Sequence, residues 1–446
     1  MEDFKAAYVP VGVPTFDLES AQAQFELSVK LLKGIDPSCI CPEKILLSVD
    51  ELCSFLSQQA PDFIVFQNVT FAGSAYAAEV LRRFDCPILL WTLREPVIDG
   101  GRLQLNSLTG AYSAANTFQA FRNKRFEYLF GSPDEPNTSE ALKSCIQAAR
   151  LKKKMRGLRM AAIGHTPQGF GFGRALDSDL MDMFGVELDS IELRELIERA
   201  NHYSDEECLE YLDKSRRAMC GLEKMPACRV SDYSKLYKAY SEYVKERGIS
   251  ALASRCWPDF FTAYGTPVCA VLSMLNDDGI AAACEADVYG ALSMWIGMQL
   301  SGSPVFFGDP VSLDEQENAL TFWHCGAAAC SLARTDTQAK VGVHPNRKIG
   351  PVMDFGCQAM GDATVFRIGR EADGNFRFFL LEGEGLDKPK QFAGTSIVVK
   401  TDSPVRKVVE QSVHDGFEPH FVVLKGRHAN ELKILAHMLG LKVYQY

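Results

Sequence analysis

Short apolar segments alternate with longer amphipathic segments over the first third of the chain. Runs typical of buried strands lie at 6–14, 44–49, 61–69 and 86–93, and residues 19–32 follow a helical repeat. This alternation predicts parallel strands with helices on both faces. Such sheets bind ligands in the loops that follow their strands. Those loops contain Gln67, Asn68, Trp91, Arg94 and Glu95.

A second stretch repeats the same pattern of strands and helices. A strand is predicted at 160–165, and it leads into the Gly-rich turn TPQGFGFGR at 166–174. The segment 186–196 predicts a strand followed by a helix, and the long charged region 204–247 is helical in pattern. A buried-type strand at 251–257 ends the stretch, so we expect another α/β unit.

The third stretch changes in character. An apolar helix is predicted over 281–300, and short strands broken by Gly, Pro and Asp follow it. Alternation with a period of two and frequent turn residues predicts an antiparallel barrel or sandwich. The chain is therefore predicted to be of the α/β class, with domains over residues 1–155, 156–278 and 279–446.

Composition and charge narrow the classes of partner. The chain has 446 residues, of which 47% are hydrophobic and 23% charged, and its net charge is −10. An acidic surface argues against general binding to nucleic acids or anionic membranes. We find no membrane-spanning run and no signal peptide at the N-terminus. Fourteen cysteines without a regular framework indicate free thiols, so a cytoplasmic protein is expected.

Several well-known catalytic motifs are missing from the sequence. There is no Walker A loop, which leaves the use of ATP unsupported, and no G-x-S-x-G elbow of the hydrolases. The segment GFGFG at 169–173 does not have the glycine spacing of a dinucleotide-binding turn. No C-x-x-C pair occurs, which argues against a structural zinc site.

The most informative residues are acids and histidines within apolar segments. Asp259 follows a buried-type strand, and Glu285 and Asp287 interrupt a run that is otherwise apolar. Buried carboxylates require a cation or hydrogen-bond donors, so they indicate either a metal or acid–base site or simply a helix cap with a salt bridge. His324 and His420 lie at the ends of apolar strands, where a histidine is often only a core residue. Carboxylates with one or two imidazoles suit Mn²⁺, Mg²⁺ or Co²⁺.

Eight segments occur in the order expected for one family. They are PDFIVFQNVTFA, PILLWTLREPVIDGGRLQLNSLTG, IGHTPQGF, CWPDF, ACEADVYGALSM, PVFFGDPVSLDEQENALTFWHCGAA, DFGCQAMGDATVFRIGR and PHFVVLKGRH. Together they cover nearly the whole chain. On these segments the protein resembles the L-fucose isomerase and L-arabinose isomerase superfamily, and in particular its shorter fucose-isomerase-like members.

The resemblance implies a fold, an activity and a site. The implied fold has two Rossmann-like parallel-sheet domains and a C-terminal antiparallel β-barrel-like domain with helices, assembled as a hexamer or a similar homo-oligomer. The implied activity is metal-dependent aldose–ketose isomerisation of a free monosaccharide through an enediol or enediolate, most often with Mn²⁺. Asp259 and Asp287 would be the catalytic acid and base. Asp259, Glu285, Asp287 and His420 would hold the metal, and His324 would line the site or add a ligand.

The substrate is open at this stage. His324, Trp257 and Gln168 are candidate sugar contacts. Lys425 and Arg427 follow the proposed metal histidine in the sequence, although they also fit a solvated turn. Two positive charges beside the site would suit an aldose with an anionic group at C6, for example sulfoquinovose. The alternative is a neutral pentose, hexose or 6-deoxyhexose.

A non-catalytic protein is the alternative from another class. The family commonly has Glu where this chain has Asp259, and a second histidine where it has Pro419. Both departures would fit a sugar-binding or regulatory homologue that has lost catalysis. Bound metal would distinguish the two, because a sensor does not need to keep a carboxylate–histidine site.

Overall fold

The computed structural model describes residues 4–122 and 124–446. Residues 1–3, which begin the segment where no signal peptide is predicted, and Asn123 lie outside this part of the chain. The described residues form two compact units. The first contains the chain up to Lys154 together with Asn430–Gly440, and the second contains Met155–Ala429 together with Leu441–Tyr446. The three-domain division predicted from the sequence remains a prediction.

The first unit is built on a parallel sheet with the order β1-β2-β3-β4. Its elements are β1 (Ala6–Val11), α1 (Leu18–Ile35), α2 (Val49–Leu56), β2 (Phe63–Asn68), α3 (Ser74–Arg83), β3 (Ile88–Thr92), α4 (Ser107–Arg122), β4 (Glu127–Phe130) and α5 (Pro136–Met155). One apolar cluster covers each face of the sheet. The predicted α/β organisation of this stretch is confirmed.

One predicted strand of the first unit is wrong. The segment 44–49 contributes only a single bridge, in which the Leu46 amide donates to the Pro10 carbonyl and the Leu46 carbonyl accepts from the Gly12 amide. Two residues later the Ser48 side chain accepts from the Glu51 amide and caps α2. The cap turns the backbone into a helix before a ladder can form.

The second unit begins with another parallel sheet. Its elements are β5 (Arg159–Ile163), α6 (Asp177–Phe184), β6 (Glu187–Ile191), α7 (Leu193–His202), α8 (Leu209–Ala218), α9 (Ala227–Arg247), β7 (Ala251–Ser254), α10 (Cys269–Asp277), β8 (Ala281–Cys284) and α11 (Val288–Ser301). The strand order is β6-β5-β7-β8. The helix predicted from residue 281 is therefore a strand as far as Cys284, and the helix begins only at Val288. The reason is the backbone between them, where Glu285 and Ala286 have φ of 59° and 56° and cannot continue a helix.

A large mixed sheet occupies the rest of the second unit. The remaining elements of the chain are β9 (Phe306–Asp314), β10 (Ala319–His324), β11 (Val341–Gly342), β12 (Val352–Met353), β13 (Phe355–Gly356), β14 (Gly361–Arg370), β15 (Phe376–Leu386), β16 (Thr395–Thr401), α12 (Val405–His414), β17 (Phe421–Lys425), α13 (Ala429–Leu439, most of it in the first unit) and β18 (Lys442–Gln445). The strand order of the large sheet is β13-β16-β10-β9-β17-β14-β15-β18, and β15 also pairs with β16. Strands β11 and β12 pair with each other outside this sheet. The barrel-like form expected from the sequence remains a prediction.

Helix α11 positions the site, because it is buried on nearly every side. It packs against β7 and β8 and also against β14 and β17, so it joins the parallel sheet to the large mixed sheet within this unit. An almost wholly apolar helix is typical of a domain core. In residues 4–122 and 124–446, no helix combines the length and hydropathy needed to cross a membrane.

A buried asparagine supports the turn before β8. The Asn276 side chain donates to the carbonyls of Leu272 and Ala282 and accepts from the Ala282 amide at 3.0 Å. We expect Asn276→Leu to lower the free energy of unfolding by about 2–4 kcal/mol, since it leaves buried backbone groups without partners. Urea denaturation measures the change. Asn201→Leu, at an exposed position of α7, is the control and should change stability by less than about 0.5 kcal/mol. Equal effects of the two substitutions would contradict this account.

Candidate active site

The turn that joins β8 to α11 carries two carboxylates, those of Glu285 and Asp287. Glu285 and Ala286 adopt left-handed backbone conformations, which are uncommon for residues other than Gly. The Ala286 amide donates to the Ser254 carbonyl at 3.0 Å, which ties the turn to the end of β7. Glu285 and Asp287 therefore follow the carboxyl ends of parallel strands, where α/β sheets bind ligands.

Asp287 caps α11 and is fully engaged by protein groups. Its Oδ1 accepts from the Gly290 amide at 2.8 Å, and its Oδ2 accepts from Nη1 of Arg367 at 2.7 Å. Oδ2 also lies 2.9 Å from Nδ1 of His420. Burial by itself raises the pKa of Asp287, but the charge of Arg367 and the contact with His420 outweigh it and hold the pKa well below its ordinary range.

His420 has carboxylates on both sides of its ring. Its Nδ1 faces Asp287, and its Nε2 lies 3.0 Å from Oε2 of Glu285 and 3.6 Å from Oδ1 of Asp309. The Asp287 carboxylate accepts a hydrogen bond from Nδ1–H of the ring, so Nε2 is the nitrogen that can bind a cation. Burial alone lowers the pKa of His420, but the hydrogen bonds with Asp287 and Glu285 raise it above the ordinary value.

His324 completes a group of potential ligands. Ligand atoms of Glu285, His324 and His420 all lie within 4.8 Å of one another. The Cys325 amide donates to Nδ1 of His324 at 3.0 Å, so the neutral ring carries its hydrogen on Nε2. That nitrogen is buried and has no hydrogen-bond partner among the residues that the structure describes. It is a free donor in the wall of the site.

Aromatic rings pack around the His420 imidazole. The ring centroid of His420 lies 4.8 Å from that of Phe307, 5.3 Å from that of Phe172 and 6.0 Å from that of Phe170. Phe170 also packs edge-on against Trp257. The polar atoms therefore interact in surroundings of low polarity, where charge–charge interactions are stronger than in water.

Trp257 and Asp259 flank the cluster on the loop after β7. The indole Nε1 of Trp257 donates to Oε1 of Glu285 at 3.1 Å. Asp259 faces Arg255, with 2.7 Å between its Oδ2 and Nε of the arginine. Of the predicted metal residues, the structure brings Glu285 and His420 together, while Asp287 contacts His420 from the other side and Asp259 pairs with Arg255. The catalytic and metal-binding roles themselves remain predictions.

The predicted sugar contacts fall in different places. Gln168 is exposed, two residues before Phe170. Lys425 lies at the other end of β17 from His420, roughly 16 Å away at about 3.3 Å per residue. Arg427 pairs with carboxylates of Asp362 and Asp402. Within this chain, the two cations are therefore not beside the cluster.

Two central residues were not recognised as site residues in the sequence. Asp309 stands in the quoted segment PVFFGDP, where Gly-Asp-Pro resembles a turn, although it lies within β9. Arg367 is a charge within the apolar strand ATVFRIGR, and its side chain is fully buried. A charged residue within an apolar strand is the signal that could have indicated both positions, because such a residue requires a buried partner.

Three similar proteins share the same name. A sulfoquinovose isomerase of Clostridium sp. (strain MSTE9) is 59% identical over 446 residues, which is the whole of both chains. A sulfoquinovose isomerase of Priestia aryabhattai is 36% identical over 450 residues and also covers both chains, and one of Alkalicoccus urumqiensis is 36% identical over 98% of each. No model of a protein family matches the chain.

The buried ion pair between Asp287 and Arg367 can be tested by a double-mutant cycle. We expect Asp287→Asn and Arg367→Met each to lower the free energy of unfolding by about 3–5 kcal/mol, because each leaves a buried charge without its partner. The double variant should lose less than the sum of the two losses, by about 1 kcal/mol or more. Urea denaturation of the four proteins measures the difference. Additive losses would show that the two side chains do not interact.

Proposed function

The chain belongs to the sulfoquinovose isomerase family and is an aldose–ketose isomerase, and we propose that it interconverts sulfoquinovose and the corresponding 2-ketose with a divalent metal. The observation that carries the metal proposal is the meeting of the Glu285 and Asp309 carboxylates at Nε2 of His420. The similarity to the named isomerases confirms the expectation of an aldose–ketose isomerase, and the non-catalytic alternative loses its support.

Glu285, Asp309 and His420 are the residues that we propose as metal ligands. Their donor atoms come from three separate elements, and one imidazole with two carboxylates suits Mn²⁺, with Mg²⁺ or Co²⁺ as alternatives. A cation would replace the proton that Nε2 of His420 shares with Glu285. The family resemblance implies that Asp287 is a metal ligand. We propose instead that it holds the His420 ring through Nδ1.

The reaction needs a proton taken from C2 of the open-chain aldose and a proton given to C1, while a hydrogen moves from the oxygen on C2 to the oxygen on C1. A bound divalent cation supplies positive charge that stabilises the enediolate. We propose that Glu285 and Asp309 exchange the protons. Before a cation binds, partial burial raises the pKa of Asp309 above its ordinary value, the direction expected of a carboxylate that can hold a proton. Asp287 is too strongly held in its ionised form for this role.

The remaining side chains orient the sugar. The free Nε2–H of His324 is proposed to donate to a sugar oxygen, since a buried donor without a partner favours an acceptor from the substrate. Asp259, oriented by Arg255, is the further carboxylate that we keep as a candidate base. Phe170, Phe172 and Phe307 keep water away from the enediolate.

Wider features of the family resemblance are proposals as well. We infer that the second pairing of β15 with β16 closes the strands from β16 through β10, β9, β17 and β14 into the barrel predicted from the sequence. The link to the L-fucose and L-arabinose isomerases, the hexameric or similar homo-oligomer and the cytoplasmic location remain predictions.

Metal removal and addition test the proposed function. We expect protein stripped by a chelator to have no turnover of sulfoquinovose, and we expect Mn²⁺ to restore it. Proton NMR follows the aldose and ketose directly, and in ²H₂O it also reports exchange of the carbon-bound proton. If the protein showed no turnover of sulfoquinovose with Mn²⁺, Mg²⁺ or Co²⁺, the proposal would be contradicted. Undiminished turnover after complete metal removal would contradict the metal dependence.

Single substitutions test the proposed metal ligand His420 and the proposed proton carrier Asp309. We expect His420→Gln to abolish tight Mn²⁺ binding, measured as bound metal per chain after gel filtration. Asp309→Asn should reduce kcat by about 10²–10⁴-fold, because the amide cannot carry the proton. Asp314→Asn, the same change at the exposed end of β9, is the matched control. If Asp309→Asn and Asp314→Asn had the same activity, the role of Asp309 would be wrong.

A further inference from the structure

The loop between β11 and β12 holds one arginine against the site. The guanidinium carbon of Arg347 lies 4.9 Å from the ring centroid of Trp257 and 5.0 Å from that of Phe261. Such stacking leaves the edge of the guanidinium, with its N–H groups, available to another partner. The side chain is half-buried rather than extended into solvent.

The backbone around Arg347 is fixed by a compact turn. Nδ1 of His344 accepts from the amides of Asn346 and Arg347 at 3.2 and 3.3 Å, and the His344 amide donates to the Ile349 carbonyl. The buried His344 ring packs edge-on against Phe261 with 5.1 Å between ring centroids. The same aromatic ring therefore contacts both the turn and the guanidinium that it presents.

Arg347 differs from the other arginines near the cluster in its lack of a carboxylate partner. Arg255 pairs with Asp259, and Arg367 pairs with Asp287. For Arg347, the described part of the chain contains no carboxylate within ion-pair distance and no hydrogen bond to the guanidinium. A half-buried cation without an anion is costly unless a ligand supplies one. The stacked position therefore indicates an anion site.

Trp257 connects this cation to one of the proposed metal ligands. The guanidinium lies over the face of the indole ring, with its carbon 4.9 Å from the ring centroid, and Glu285 accepts from Nε1 at the ring edge at 3.1 Å. A six-carbon open chain with bonds of about 1.5 Å extends about 6 Å from C1 to C6. A sugar with C1 and C2 at Glu285 can therefore extend along Trp257 toward Arg347.

We propose that Arg347 binds the anionic group at C6 of the substrate and sets the specificity for a sulfonated over a neutral sugar. This inference rests on the proposed function. A sulfonate has three acceptor oxygens and remains ionised over the pH range of the folded protein, and the planar guanidinium can donate two parallel hydrogen bonds to it. The role that the sequence assigns to Lys425 and Arg427 passes to a residue in another loop.

The test compares two sugars that differ only at C6. Sulfoquinovose and 6-deoxyglucose are assayed with the Mn²⁺-loaded protein and with Arg347→Gln. We expect the substitution to reduce kcat/KM for sulfoquinovose by about 10²-fold, mainly through KM, and to leave 6-deoxyglucose unchanged or improved. Arg347→Lys should recover part of the loss, because it keeps the charge but not the paired donors. Lys348→Gln removes the same charge from the neighbouring exposed position and should change neither substrate by more than about twofold.

Calorimetric binding of the two corresponding alditols gives the same comparison without turnover. The sulfonated alditol should bind about 10²-fold more weakly to Arg347→Gln than to the unchanged protein, and the neutral alditol should bind equally to both. Equal losses for both sugars, or no loss for the sulfonated one, would overturn the role of Arg347. If the unchanged protein did not turn over sulfoquinovose, the proposed function would fail. If the unchanged protein and Arg347→Gln turned over sulfoquinovose equally well, only this inference would be overturned.

Discussion

The ion pair between Asp287 and Arg367 is the interaction on which the site depends. Both side chains are almost completely buried, with 1% and 0% exposure. Arg367 also donates to the His420 carbonyl at 2.9 Å, so one guanidinium links the start of α11 to the residue before β17. Each buried charge is stabilised by the other. The pair thereby fixes the place where α11, β14 and β17 meet.

The orientation of His420 follows from this pair. Since Asp287 occupies Nδ1, the ring presents Nε2 to Glu285 and Asp309, and aromatic rings pack around the imidazole. The ion pair with Arg367 also gives Asp287 surroundings that differ from those of Asp309. Asp287 is held ionised by Arg367, whereas the pKa of Asp309 is raised by its partial removal from water. The two aspartates therefore differ in how readily each can hold a proton.

Local patterns in the sequence predicted the α/β units and four members of the site, because ionisable residues within apolar segments are visible without a structure. The four are Glu285, Asp287, His324 and His420. The division of labour between them was not predictable. It depends on Arg367, which lies 80 residues from its partner Asp287 along the chain. Asp309 was hidden for a similar reason, since a Gly-Asp-Pro segment resembles a turn until its pairing with β10 is known. Lys425 follows His420 closely in the sequence, but five residues of an extended strand separate them in space.

Anomalous diffraction from crystals grown with Mn²⁺ tests the central claim most directly. Data collected on both sides of the manganese absorption edge locate the ion without reference to activity. This account predicts a single strong peak bounded by Nε2 of His420 and the carboxylates of Glu285 and Asp309, with Asp287 still bound to Arg367 and Nδ1 of His420. A peak on the Asp287 carboxylate, or full Mn²⁺ occupancy at a place that excludes His420, would contradict it.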